Sequence, residues 1–136
     1  MLVYCDTSAL YAVGNRDDEA HEAAAEAWEA LIGGDRYRLI STNYVVVETL
    51  SLAQKRQGLA AMRVLRDALD QTVEVTFVDE TLHNAAVENC LRTRRRGVSL
   101  VDCVGFAFMR RHGIHHAFAL DRHFTEYGFK PFAQSK

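Results

Sequence analysis

Leu2-Val3-Tyr4-Cys5-Asp6-Thr7-Ser8 decides how the rest of the chain reads. Four apolar residues run without a polar break, which marks a strand covered on both faces, as in a parallel sheet. The run stops on a carboxylate, and helix-forming Thr7 to Val13 follow before Gly14-Asn15. A second stretch repeats the pattern. His116-Ala117-Phe118-Ala119-Leu120 is apolar after its first residue and stops on Asp121. Open parallel sheets bind ligands outside the carboxyl ends of their strands. Two acids at two such ends are therefore candidates for one crevice. Helix capping is the alternative for each acid taken alone.

Between these ends, strand and helix patterns alternate. Asp17-Asp18-Glu19 is expected to open a helix to Ile32, with its acids at the positive end of the dipole. Leu39-Ile40-Ser41 is a short strand. Asn43 is a plausible cap for a helix from Tyr44 to Arg56, and a further helix spans Leu59 to Asp70. Val73, Val75, Phe77 and Val78 mark a third strand, and Asp79 is placed to cap a helix reaching Arg94. Ser99-x-x-Asp102 is a short-acid capping box opening the most apolar helix, Leu100 to His112, with Gly113 after it. Phe129 to Phe132 suits a short edge strand, where Pro131 is tolerated. The pattern predicts an α/β fold: a three-layer α/β/α sandwich on a mostly parallel sheet of four to five strands, as one domain over residues 1–136.

Composition narrows the class. The 136 residues are 49% hydrophobic and 25% charged, with one proline, which excludes collagen-like and disordered chains. The formal net charge is −2, so bulk charge does not drive binding to nucleic acid. The total conceals an asymmetry: residues 1–50 carry a net −6 and residues 51–136 a net +4. Thirteen of the 16 basic residues are arginine, the better bidentate donor to phosphate. Cys5, Cys90 and Cys103 have no paired spacing, so reduced thiols and a cytoplasmic location are expected. Neither a signal-peptide pattern nor an apolar run long enough to span a membrane is present, so no membrane role is expected.

Two further acids stand among apolar neighbours. Glu48 lies in Tyr44-Val45-Val46-Val47-Glu48-Thr49-Leu50, where its helical neighbours form a largely core-facing stripe. The alternative is a solvated position at the edge of that stripe. Asp102 precedes Cys103-Val104-Gly105-Phe106, and Gly105 one turn on leaves room beside it. A buried carboxylate without a partner costs several kcal/mol or takes up a proton. Asp6, Glu48, Asp102 and Asp121 gathered around a hard divalent cation would remove that cost. Carboxylate oxygens suit Mg²⁺ or Mn²⁺, and a phosphodiester is the natural substrate of such a centre.

On these residues the sequence resembles the PIN-domain ribonucleases, and within them the VapC-type toxins of toxin–antitoxin pairs. The matching stretches are Val3-Tyr4-Cys5-Asp6-Thr7-Ser8, Ser41-Thr42-Asn43-Tyr44-Val45-Val46-Val47-Glu48, Ser99-Leu100-Val101-Asp102 and Phe118-Ala119-Leu120-Asp121-Arg122-His123-Phe124. The resemblance implies a metal-dependent endoribonuclease with Mg²⁺ as cofactor and Mn²⁺ as substitute. It maps the acidic site onto Asp6, Glu48, Asp102 and Asp121. Asp6 and Asp102 would hold the main ion, with Glu48 direct or through water, and Asp121 would orient the attacking water. Products would carry a 5′-phosphate and a 3′-hydroxyl. Thr7 or Ser8 would support the first acid, and Ser99 the helix start at Asp102. Ala119 departs from the pattern, since many relatives carry Thr or Ser there. A cognate antitoxin, an RNA substrate and a homodimer are the implied partners, with residues 19–32 and 44–56 as candidate surfaces.

Arg92, Arg94, Arg95 and Arg96 are candidate RNA contacts, as are Arg16 and Arg122; a solvated helix end is the alternative for the cluster. Cys90-x₅-Arg96 has the spacing of a phosphatase loop, but its interval lacks the small residues that wrap a phosphate. His112, His115, His116 and His123 fit no tight zinc motif. His123 is the best placed for a minor role, two residues after Asp121. No glycine-rich nucleotide loop is present. Two other functions stay open on sequence: a non-catalytic RNA-binding protein of the same fold, and a small-molecule phosphatase.

Overall fold

The structure is a computed structural model and describes residues 1–93, 95 and 97–132. In chain order the elements are β1 (Leu2–Cys5), α1 (Thr7–Gly14), α2 (His21–Ile32), β2 (Arg38–Thr42), α3 (Asn43–Gln57) and α4 (Leu59–Thr72). They continue as β3 (Val73–Thr76), α5 (Glu80–Thr93), α6 (Leu100–His112), β4 (His116–Phe118), α7 (His123–Glu126) and β5 (Lys130–Pro131). The five strands form one parallel sheet in the order β3-β2-β1-β4-β5, with helices on both faces. The expected α/β/α sandwich is the observed architecture.

β1 occupies the centre because it is the most apolar strand. It pairs with β2 through Val3↔Leu39 and with β4 through Tyr4↔Ala117 and Cys5↔Phe118. Strand order therefore reverses between β1 and β4, and the crevice outside their carboxyl ends is the topological switch point. Tyr4 is fully buried, with ring centroids 5.7 Å from Phe108 and 6.1 Å from Phe124. Gly105 makes that packing possible: a Cβ there would lie 3.1 Å from the Tyr4 ring and 3.3 Å from Phe124. The glycine accommodates aromatic rings, not the Asp102 carboxylate as its spacing had suggested.

Local side-chain chemistry corrects four boundaries. α2 starts at His21, not Asp17. Asn15 Oδ1 accepts from the Asp17 amide (3.1 Å) and Asp18 Oδ1 from the Ala20 amide (2.8 Å), so these residues build a turn ahead of the helix. α3 is capped by Thr42, whose Oγ1 accepts from the Val45 amide (3.4 Å). Asn43 instead accepts from the Val78 amide (2.8 Å) and anchors the segment after β3. β3 stops at Thr76, leaving Phe77 exposed. β4 stops at Phe118 because the next amides turn aside: those of Leu120 and Asp121 donate to Ser8 Oγ at 3.0 and 3.3 Å. The capping box at Ser99 and Asp102, the cap at Asp79 and the edge strand at Lys130–Pro131 stand where the sequence placed them.

Candidate active site

The carboxyl ends of β1 and β4 carry the candidate residues. Asp6 follows β1, and its amide donates to Phe118 O across to β4 (3.0 Å). Its side chain is 3% exposed and its Oδ2 accepts from both the amide (3.1 Å) and the hydroxyl (2.7 Å) of Ser8. The same Ser8 hydroxyl receives the Leu120 and Asp121 amides. One side chain thus ties the first acid to the turn that carries the last. Burial pushes the Asp6 carboxyl up to about 7, against the Ser8 bonds that lower it, with the charges of Asp102 and Glu48 raising it further.

Asp102 arrives on the first turn of α6. Ser99 Oγ accepts from the Asp102 amide (3.0 Å), while Asp102 Oδ2 accepts from the Ser99 amide (3.1 Å). Asp102 is 6% exposed. Its carboxyl is also held above the usual range, first by burial, and then by the charges of Asp121 and Glu48. Asp121 is partly buried, and its Oδ1 accepts from the His123 amide at the start of α7 (2.8 Å). Asp6, Asp102 and Asp121 all bond to backbone amides at helix starts. The capping role and convergence on one crevice coexist.

The structure also brings in a side chain that the acidic pattern did not include. His123 Nδ1 lies 2.7 Å from Asp121 Oδ1 and 3.5 Å from Asp102 Oδ2. It is buried and makes no hydrogen bond of acceptable geometry. One donor atom each from Asp102, Asp121 and His123 falls within 4.8 Å of the others, the spacing of ligands around one ion. Gly97 fixes the ring from behind: its φ of +87° admits no side chain without strain, and a Cβ would come within 3.3 Å of His123 Cε1. The Asp121-x-His123 spacing was the sequence trace of this contact.

Glu48 sits on α3 between buried Val45 and Thr49 and exposed Val47, at the edge of the core stripe. Its charge reaches Asp6 and Asp102, although Glu48 and Asp6 stand outside the 4.8 Å group. Of the two hydroxyls offered as support for Asp6, that of Ser8 meets it, while Thr7 faces α3. Its hydroxyl donates to Val45 O (3.5 Å) and accepts from Thr49 (3.2 Å), locking α1 to α3 beside Glu48 without touching Asp6.

The arginines divide. Arg122 is exposed beside His123, with Nε 3.6 Å from Glu126. Arg95 is bound to Glu126 at 2.7 Å and lies over the Tyr127 ring. Arg92 lines a cleft between α5 and α6. Arg16 stands beyond the carboxyl end of α1, about 12 Å of helix from Asp6, and borders an apolar cavity with Trp28 and Leu65. Arg94 and Arg96 lie outside the described residues.

Buried carboxylates with raised proton affinity, with an imidazole nitrogen among them, make a donor set that fits a divalent cation. Among the described residues no lysine or arginine pairs with Asp6, Asp102 or Asp121. The PIN domain family model matches residues 3–130. The chain belongs to the PIN-domain family. It is 33% identical over 129 residues to the 23S rRNA-specific endonuclease VapC20 of Mycobacterium tuberculosis, covering 94% of this chain and 95% of the relative. The crystal structure of that VapC20, described as a sarcin–ricin-loop-cleaving toxin, superposes with a TM-score of 0.83 over 93% of this chain and 95% of the other. FitAcB of Neisseria gonorrhoeae, at 15% identity, a TM-score of 0.65 and coverage of 97% and 96%, shares the PIN fold. Among the described residues no helix is long and apolar enough to cross a membrane.

Proposed function

We propose that this PIN-domain protein is a divalent-metal-dependent endoribonuclease and the toxin of a toxin–antitoxin pair. The observation that carries the reading is the meeting of Asp102, Asp121 and His123 within 4.8 Å at the β1/β4 switch point, with the charges of Asp6 and Glu48 felt there. Asp6, Asp102, Asp121 and His123 would hold Mg²⁺, or Mn²⁺ in its place, with Glu48 at the rim. When bound, the ion supplies Lewis-acid polarisation of a phosphoryl oxygen and a lowered pKa for a water. Asp6 and Asp102, held in place by Ser8 and Ser99, provide fixed negative charge that needs no rearrangement during the reaction. Asp121, the most exposed of the three aspartates, would help orient the attacking water. Ser8 keeps Asp6 and Asp121 at a constant separation.

The 23S rRNA-specific activity and sarcin–ricin-loop cleavage named for the relative make that loop the first substrate to test. A cognate antitoxin and a homodimer are proposed with it, with residues 19–32 and 44–56 as the surfaces to probe. The cytoplasm, where ribosomes are found, is the proposed location.

The test is cleavage of a sarcin–ricin-loop RNA with Mg²⁺, with EDTA, and by Asp102→Asn. Cutting that requires the ion and falls by about 10²-fold or more in the variant supports the reading. RNA binding in EDTA with no cutting under any condition would favour the non-catalytic alternative. Turnover of an aryl phosphate without RNA cleavage would favour a phosphatase.

A further inference from the structure

The last turn of α5, the outer face of α6 and the end of α7 enclose a cleft of about 310 Å³ that the proposed chemistry does not use. Its lining includes Asn89, Arg92, Thr93, Phe106, Arg110 and Tyr127. Among the described residues neither Arg92 nor Arg110 has a carboxylate at ion-pair distance, whereas neighbouring Arg95 and Arg122 share Glu126. Two uncompensated guanidiniums with an amide and a hydroxyl beside them form an anion-selective lining. Arg110 is held in advance: it donates to Tyr127 O (3.1 Å), and its guanidinium lies 5.2 Å over the Phe129 ring. The wall is equally fixed, since Tyr127 stacks on Phe106 with centroids 4.4 Å apart.

The helices that carry Asp102 and His123 also wall this cleft. On α6, Asp102, Phe106 and Arg110 follow at four-residue steps, about 6 Å each. On α7, one step leads from His123 to Tyr127. A nucleic-acid strand with its scissile phosphodiester at the acids would need to run about 12 Å along α6 to lay a further phosphate against Arg92 and Arg110. We propose that this cleft is a backbone-phosphate subsite that grips the RNA strand beside the cut and sets its register. The identity of the strand rests on the nuclease reading above. The anion chemistry of the cleft does not.

The test is fluorescence anisotropy of a fluorescein-labelled sarcin–ricin-loop RNA in EDTA across a salt series. Wild type is compared with Arg92→Glu, Arg92→Lys and the control Arg63→Glu, which makes the same charge change on exposed α4. Cleavage in Mg²⁺ is measured in parallel. Arg92→Glu is expected to weaken binding by about tenfold and flatten the log–log salt slope by about 0.7–1, with Arg92→Lys close to wild type. Circular dichroism checks that each variant is folded. Equal losses in Arg63→Glu and Arg92→Glu, or wild-type binding by folded Arg92→Glu, would overturn the subsite. If wild type cuts RNA while Arg92→Glu binds normally, the subsite falls and the nuclease reading stands. If wild type never cuts but Arg92→Glu selectively loses binding, the nuclease reading falls and the subsite stands. Wild type that neither binds nor cuts overturns both.

Discussion

Asp6 receives two hydrogen bonds from Ser8, yet its proton affinity stays raised because burial and the nearby acids outweigh them. Its folded value, about 7, lies above its ordinary value of 3.8. The folded state therefore holds a proton that the unfolded chain releases between those values. Metal-free stability is greatest below pH 4 with respect to this group and declines as pH rises through 7. In EDTA, thermal melting should show Asp6→Asn gaining on wild type from pH 5 to pH 8, by on the order of 2–4 kcal/mol. Parallel pH profiles for the two proteins would contradict the placement of Asp6. Gly105 makes a separate residue-scale prediction. Gly105→Ala pushes a methyl against Tyr4 and Phe124 and should destabilise by about 1–3 kcal/mol in urea titration, with the cation site intact. An unchanged midpoint would mean that the rings move aside freely.

Short polar ties join the elements at the site, alongside the aromatic packing of β1, α6 and α7. Ser8 joins α1, the end of β1 and the turn after β4. Ser8→Ala leaves two amides and a buried carboxylate without that hydroxyl. It is expected to cost about 1–3 kcal/mol and to lower the RNA cleavage rate more than RNA affinity. A Ser8→Ala protein with wild-type melting and cleavage would show that the tie is dispensable. These ties also explain what the sequence revealed. β1, α6 and the capping box at Ser99 were legible because apolar runs and cap residues act locally. The end of β4 at Phe118 was not, since it depends on a hydroxyl 112 residues away. The start of α2 was misplaced because dipole reasoning favours acids in a first turn, whereas Asn15 and Asp18 had nearer amides to bind. Of Thr7 and Ser8, either of which could support Asp6, Ser8 does so, and helical geometry turns Thr7 toward Thr49.

At the scale of the whole molecule, the strand order places β1 beside β4 and so brings acids 115 residues apart to one crevice. The alternation of strands and helices was sufficient to predict the layers and the parallel sheet. His123 was visible only as a neighbour of Asp121, because its contact with Asp102 depends on how α6 and α7 pack. The account rests on these groups sharing a divalent cation. Its most direct test is a Mn²⁺ titration followed by electron paramagnetic resonance at pH 8, on wild type, Asp102→Asn and His123→Ala. The account predicts saturable Mn²⁺ binding by wild type, competed by Mg²⁺, that weakens by at least tenfold in each folded variant. Mn²⁺ binding that is unchanged in Asp102→Asn, or wild type that takes up no Mn²⁺ yet cuts RNA in EDTA, would contradict it.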